Sequence, residues 1–204
     1  MYCNIIVTRP FNHVFTYDVG SAKVKNGQIV LVPFGKSTEV GMILETNVSK
    51  SDYQKLNTYC KELNIIFSAS GWDEESVDFL NKLDVPFFKM TSADMTNFPL
   101  LTHTAQKGKP MIMSTGMANM EMVKSAYSLV QPINNQIAIL QCTSTYPSVF
   151  SEVHLNVLQT YIKKFPDAVI GYSGHEQGIA IAPSAVALGA KIIERHFTLD
   201  RTMK

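Results

Sequence analysis

The chain has 204 residues, of which 46% are hydrophobic and 17% are charged, and its net charge at pH 7 is +1. This composition is typical of a globular protein with a sizeable core, and the near-neutral charge argues against a general role on nucleic acids or membrane surfaces. Three scattered cysteines without C-x-x-C spacing, Cys3, Cys60 and Cys142, predict reduced thiols in a cytoplasmic protein. Neither a signal peptide nor an apolar run long enough to span a membrane is expected.

Residues 1–46 are predicted to form a small β-rich segment. Apolar or alternating runs typical of strands occur at 5–7, 14–17, 29–32 and 40–44. Asn26-Gly27 is a turn signal between two of them, because both residues tolerate positive φ. A segment this short removes too little surface from water to build a stable core alone.

Residues 47–204 are predicted to form a second domain in which strands and helices alternate. The boundary is the polar stretch 46–52. A helix is predicted over 52–63, with Tyr53, Leu56, Tyr59, Cys60 and Leu63 on one face. Six strand-like runs follow, at 65–67, 86–88, 111–113, 137–140, 169–170 and 192–193.

Helix starts between these runs carry capping residues. Asp73 and Asn119 are predicted N-caps, and Ser151 is predicted to cap a helix over 152–165. The repeating strand–helix unit predicts an α/β fold, an incomplete (β/α)8 TIM-type barrel of six units. An open doubly wound sheet is the alternative.

Every predicted strand is followed by hydroxyls or charged residues. These exits are Ser68–Gly71, Lys89–Asp94, Ser114–Gly116, Gln141–Tyr146, Ser173–Glu176 and Glu194–His196. Polar residues at the carboxyl ends of parallel strands are where α/β proteins bind and react. Several hydroxyls with Lys89 suit a phosphate, and His175 with His196 suits a metal of the Mn, Zn or Fe type. The alternatives are hydroxyls that cap helices, structural histidines and a surface lysine.

The N-terminal segment resembles the start of the primosomal helicase PriA family, whose N-terminal domain captures the 3′ end of a DNA strand. The resemblance rests on Phe15-Thr16-Tyr17, Asn26–Val30 and Val32–Lys36. The family usually has Asp at the position of Thr16, and no phosphate-binding helicase motif occurs in the chain. DNA binding is therefore not expected, although Phe15, Tyr17 and Gly35 would lie together if the 3′-end pocket survives.

From about residue 52 to 204 the chain resembles the N-acetylneuraminate (sialic acid) synthase family. The matching motifs occur in family order: Phe67–Gly71, Val85–Lys89, Asn97–Pro99, Ser114–Met117, Leu140–Pro147, Gly171–Glu176 and Glu194–His196. The resemblance implies a (β/α)8 barrel that condenses phosphoenolpyruvate with N-acetylmannosamine or its 6-phosphate and releases phosphate. A homodimer is the assembly considered.

The resemblance also implies roles for single residues. Phosphoenolpyruvate would be held by Ser70, Lys89, Ser92, Ser114, Ser144 and Ser173. His175 and His196 would bind a divalent metal, Mn or Mg. Asp94 and Tyr146 would contact the sugar and, with Lys89, form the catalytic set.

Departures from the family pattern limit the expected activity. Thr91 and Ala93 stand where the family has glycines, and the family's first two strands, with a catalytic glutamate, have no counterpart here. Three readings follow: a synthase-type enzyme of low activity, a remnant that binds metal or phosphate without turnover, and a fusion product with a DNA-binding N-terminal segment.

Overall fold

The computed structural model describes residues 49–196 throughout and, before them, the backbone of four strands. These are β1 (Tyr2–Val7), β2 (Val14–Asp18), β3 (Ile29–Phe34) and β4 (Ser37–Glu45). They form one antiparallel sheet in the order β2-β1-β4-β3. The predicted β-rich character of this segment is therefore confirmed. Gly27 and Gly35 lie outside the described residues, as do the side chains of the predicted 3′-end pocket.

The chain divides into two compact units, Met1–Tyr59 and Cys60–Lys204. The division falls inside helix α1 (Lys50–Glu62), close to the predicted helix. Ser49 caps this helix, since its hydroxyl accepts from the Asp52 amide at 3.3 Å, and the Asp52 carboxylate accepts in return from the Ser49 amide at 3.1 Å. The predicted domain boundary at residue 47 stays a prediction.

The second unit contains a parallel sheet. Within residues 49–196 it has five strands, β5 (Phe88–Met90), β6 (Met111–Ser114), β7 (Ile137–Cys142), β8 (Val169–Gly174) and β9 (Ile192–Arg195), paired in chain order. Five helices alternate with these strands along the chain, one before each strand: α2 (Glu74–Lys82), α3 (Phe98–Ala105), α4 (Met120–Val130), α5 (Val157–Lys164) and α6 (Ile181–Ala187). Parallel neighbours joined through helices are the arrangement of a TIM-type barrel. Of the helices described, none is both long and apolar enough to cross a membrane.

The core lies between this sheet and its helices. Every residue of β7 is buried, as expected for a central strand covered on both faces. The packed side chains include Leu101, Met111, Met113, Val123, Ile139 and Leu158, each 0% exposed. Burial of each such large apolar side chain is worth about 1.5–3 kcal/mol.

The first predicted strand of this unit is wrong. Residues 65–67 form no strand, and Ile66 is 72% exposed. Pro86 lacks a backbone N–H and so could not donate a hydrogen bond to a strand formed by residues 65–67. The Ser68 hydroxyl donates to the Phe87 carbonyl at 2.8 Å and links the two segments instead. Five exits, rather than six, therefore follow strands in the described part of the chain.

The helix predicted over 152–165 also begins later than expected. A 3-10 turn occupies Phe150–Glu152, and α5 starts at Val157. His154 has φ of 48°, outside the right-handed helical region, so a continuous helix cannot pass through it. The predicted caps Asp73 and Asn119 are confirmed, since their side chains accept from amides of the first helical turn.

Candidate functional site

The strand register gathers the polar residues on one face of the parallel sheet. Residues paired across parallel strands point to the same face of the sheet. Residues two positions apart on one strand also share a face. Lys89 pairs with Ile112, Ser114 with Leu140, Cys142 with Ser173, and Ser173 with Glu194. Lys89, Ser114, Cys142, Ser173 and Glu194 therefore lie on the same face, near the carboxyl ends of their strands.

Lys89 is held by groups from three strands. Its Nζ donates to Ser114 Oγ at 2.8 Å and to the Met90 carbonyl at 3.2 Å. The same Nζ lies 3.4 Å from Glu194 Oε2, and the Lys89 side chain is only 16% exposed. Glu194 Oε2 also accepts from Ser114 Oγ at 3.4 Å. A mostly buried cation thus lies beside a hydroxyl, with one carboxylate offsetting its charge.

Ser92 and Ser144 come together through Gly116. The Gly116 amide donates to Ser92 Oγ at 3.0 Å. A Cβ at Gly116 would lie 2.4 Å from Ser144 Oγ and 2.9 Å from Cys142 Sγ. Two of the predicted phosphate ligands therefore lie against this glycine.

Substituting Gly116 with alanine should disturb this arrangement. The new methyl group would meet the Ser144 amide nitrogen, a backbone atom, at 3.1 Å as well as the Ser144 hydroxyl. We expect a loss of about 1–3 kcal/mol in unfolding free energy, the usual cost of overpacking. Urea denaturation of Gly116→Ala, measured beside the unaltered chain, checks this. Equal stability of Gly116→Ala and the unaltered chain would contradict it.

The remaining predicted ligands differ in position. Ser173 is 4% exposed and lies between Cys142 and Glu194 in the sheet register. Ser70 is half-buried and lies in the segment before α2 that forms no strand. Asp94 is 6% exposed, lies in a 3-10 helix, and accepts from Thr91 Oγ1 at 2.6 Å. The Asp94 carboxylate is therefore engaged by its own turn.

His175 and His196 meet at the exits of β8 and β9. Their ring centroids lie 5.1 Å apart. Tyr146, which is 66% exposed, stacks on His175 with centroids 3.9 Å apart and meets the edge of His196 at 5.5 Å. These three rings line an open cleft of about 230 Å³, together with Pro147, Gly174, Glu176 and Arg195.

The hydrogen bond of His175 fixes its tautomer. Nδ1 lies 2.7 Å from the Thr143 carbonyl oxygen, which can only accept. The proton is therefore on Nδ1, and Nε2 keeps a free lone pair. Burial is the main cause that holds the pKa of His175 below its usual value, so the neutral ring is favoured.

This pair of rings fits a divalent cation as two nitrogen ligands. A metal-binding histidine typically donates its other N–H to a carbonyl or carboxylate, as His175 does. Metal–nitrogen bonds are about 2 Å long, so rings this close can share one ion. In the described part of the chain, no group of three or more His, Cys, Asp or Glu residues is arranged as a complete cage. Two histidines alone would leave coordination positions for water or substrate.

One of the residues that line the cleft, Glu176, has a buried carboxylate to which the sequence analysis gave no role. Glu176 is 3% exposed, accepts from the Tyr172 hydroxyl at 2.6 Å, and pairs with Arg195. Burial, with this hydrogen bond, raises the pKa of Tyr172, so the phenol stays protonated. Glu194 was also missed as the partner of Lys89. Both carboxylates belong to motifs that were recognised, but their ion pairs join residues far apart in the chain.

Comparison with known proteins gives a consistent family. The model of the NeuB family matches residues 17–204. N-acetylneuraminate-9-phosphate synthase of Homo sapiens is 53% identical over 156 residues, which are 76% of this chain and 44% of that protein. The chain thus spans less than half the length of this curated relative.

Solved structures agree in fold. The sialic acid synthetase of Leptospira borgpetersenii, in complex with citrate, has a TM-score of 0.74 and 34% identity over 76% of this chain and 54% of its own. The spore coat polysaccharide biosynthesis protein SpsE of Bacillus subtilis has a TM-score of 0.74 and 37% identity over 79% of this chain and 45% of its own. With the family match over most of its residues, the chain belongs to the NeuB family.

Proposed function

We propose that this chain takes part in a sialic acid synthase reaction, the condensation of phosphoenolpyruvate with N-acetylmannosamine or its 6-phosphate. The observation that carries the proposal is the position of Lys89 and Ser114 on the same sheet face as the exits that bear His175 and His196. The identity to N-acetylneuraminate-9-phosphate synthases of animals supports the same substrates.

The phosphate of phosphoenolpyruvate is assigned to Lys89 and the hydroxyls of Ser70, Ser92, Ser114, Ser144 and Ser173. Hydrogen bonds to a charged group contribute about 1.5–3 kcal/mol each, more than bonds between neutral groups. The position of Lys89 Nζ, 2.8 Å from Ser114 Oγ, supports a shared ligand for the two. The anion would compete with Glu194 for the same ammonium group.

The metal, Mn or Mg, is assigned to His175 and His196. A divalent ion bound there would act as a Lewis acid toward the sugar carbonyl. The protein's own contribution is to present Nε2 of His175 unprotonated, through the bond from Nδ1 to the Thr143 carbonyl. Tyr146 covers one face of His175 and is proposed, with Asp94, to position the sugar.

The experiment that tests this function is a phosphate-release assay with phosphoenolpyruvate, Mn²⁺ and either sugar form. Release that requires the sugar supports the synthase reaction. Binding of phosphoenolpyruvate without release identifies the binding remnant considered above. Absence of both would contradict the proposal. A cytoplasmic location and a homodimer are further parts of the proposal, testable by fractionation and light scattering.

We expect no specific DNA binding by the N-terminal segment. Thr16 replaces the acidic residue of the resembled 3′-end pocket, and the near-neutral chain lacks a general electrostatic attraction to phosphates. Fluorescence anisotropy with a short oligonucleotide that has a free 3′ hydroxyl, at physiological salt, should show no saturation. Sub-micromolar affinity that is lost when the 3′ end is blocked would overturn this expectation.

A further inference from the structure

We propose that Glu176 and Arg195 form a positioning pair that fixes the separation of the His175 and His196 rings and so sets the affinity of the cleft for a divalent cation. Each member directly adjoins one of the two histidines in the sequence. The inference rests on the proposed metal site and adds two residues to which neither motif nor resemblance gave a role.

The two histidines lie at the end of the sheet, just beyond the last backbone pairing of β8 with β9. The last paired residues of β8 and β9 are Gly174 and Arg195. His175 follows the first of these and His196 follows the second. Some other contact must therefore hold the two exits at a constant distance.

The Glu176–Arg195 pair supplies that contact. Arg195 Nη1 donates to Glu176 Oε1, and Arg195 Nη2 donates to the Glu176 backbone carbonyl at 2.6 Å. One guanidinium thus binds both the side chain and the main chain of the residue after His175. The guanidinium of Arg presents its two donors in a rigid planar fork, whereas lysine carries a single compact ammonium on a flexible stem.

The carboxylate of Glu176 is itself held in place. Its Oε2 accepts from the Tyr172 hydroxyl at 2.6 Å, and the residue is 3% exposed. On the other side, the Ser148 amide donates to the His175 carbonyl at 3.2 Å, and Ser148 forms a parallel bridge with Glu176. Glu176 is therefore tied to β8 and to the loop after β7, and Arg195 adds β9.

Gly174 gives independent support for this arrangement. A Cβ at this position would lie 2.5 Å from Arg195 Nη1, 2.5 Å from Glu176 Oε2 and 2.6 Å from Tyr172 Cε1. The absence of a side chain at Gly174 is what lets the guanidinium and the carboxylate meet directly above the strand. The sequence thus leaves room for this ion pair immediately before His175.

A purely structural ion pair would affect stability without affecting metal affinity, so the test measures Mn²⁺ binding. Arg195→Lys keeps the charge that Glu176 requires, and it loses the rigid fork that fixes the geometry of the contact. We expect its Mn²⁺ dissociation constant, from electron paramagnetic resonance of free Mn²⁺ in titrations of the full chain, to rise about 10- to 100-fold, as for other residues that orient metal ligands. Its unfolding midpoint is measured alongside.

A double variant guards against misfolding. Glu176→Gln with Arg195→Gln removes both charges, and so leaves no unpaired buried charge. It should fold, and its Mn²⁺ dissociation constant should nevertheless rise at least about tenfold. The matched control is Lys109→Gln, because Lys109 likewise binds a carboxylate, Asp84 at 2.7 Å, and a backbone carbonyl, Val85 at 2.9 Å. It should bind Mn²⁺ as the unaltered chain does.

Mn²⁺ affinity within twofold of the unaltered chain in both Arg195→Lys and the double variant would overturn the inference. A loss equal to that of Lys109→Gln would overturn it as well. The underlying metal site is tested separately by His175→Ala. If His175→Ala leaves Mn²⁺ binding intact, the proposed site fails; if it removes binding while the Arg195 variants do not, only the positioning role fails.

Discussion

Replacing His175 with alanine is expected to abolish specific Mn²⁺ binding. The substitution removes one of two nitrogen ligands whose rings lie 5.1 Å apart, and it leaves His196 as a single ligand. Changes to residues that merely orient a ligand already cost about 10- to 100-fold in metal affinity. Loss of the ligand itself should therefore exceed about 100-fold. Isothermal titration with MnCl₂ measures the change.

The matched control for this substitution is His103→Ala. His103 lies in α3 and its Nε2 is 2.8 Å from Asp78 Oδ1, on a helix that contributes nothing to the cleft lining. It should leave Mn²⁺ affinity unchanged. Equal affinities of His175→Ala and His103→Ala would show that the metal binds elsewhere or not at all.

Replacing Lys89 with alanine is expected to weaken phosphoenolpyruvate binding about 10- to 100-fold, since a hydrogen bond to a charged group is worth about 1.5–3 kcal/mol. The effect should be largest at low salt, although a side chain only 16% exposed is screened less than a surface lysine. Tryptophan fluorescence or calorimetric titration with phosphoenolpyruvate checks the change.

Lys109→Ala is the control for this second substitution. Lys109 pairs with Asp84 ahead of β6, at the amino-terminal edge of the sheet, away from the polar exits. Its removal should not change phosphoenolpyruvate affinity. If Lys89→Ala binds as tightly as Lys109→Ala, the phosphate is not held at the predicted position.

The strand–helix repeat could be predicted because its signals are local. Apolar runs such as 137–140 are closed by polar residues, and caps such as Asp73 and Asn119 mark helix starts within a few residues. The strand at 65–67 failed because an apolar run specifies a strand only when a neighbour offers backbone partners. The predicted start of α5 was wrong because the φ of His154 depends on the packing of its loop.

The site could be predicted in part for the same reason. The hydroxyls and histidines that follow the strands can be read from the sequence. Parallel pairing then brings the carboxyl ends of the strands to one edge of the sheet. The pairing of Lys89 with Glu194 and the burial of Glu176 against Arg195 could not be predicted, because they depend on which strands become neighbours. Local pattern gives the types of residue present, and only the fold gives their charge partners.

The account is tested most directly by anomalous diffraction at the manganese edge from crystals of the full chain soaked with MnCl₂ and phosphoenolpyruvate. It predicts one anomalous peak between the His175 and His196 rings, with phosphate density against Lys89 Nζ and Ser114 Oγ. A manganese peak away from both histidines, or phosphate density away from Lys89, would contradict it.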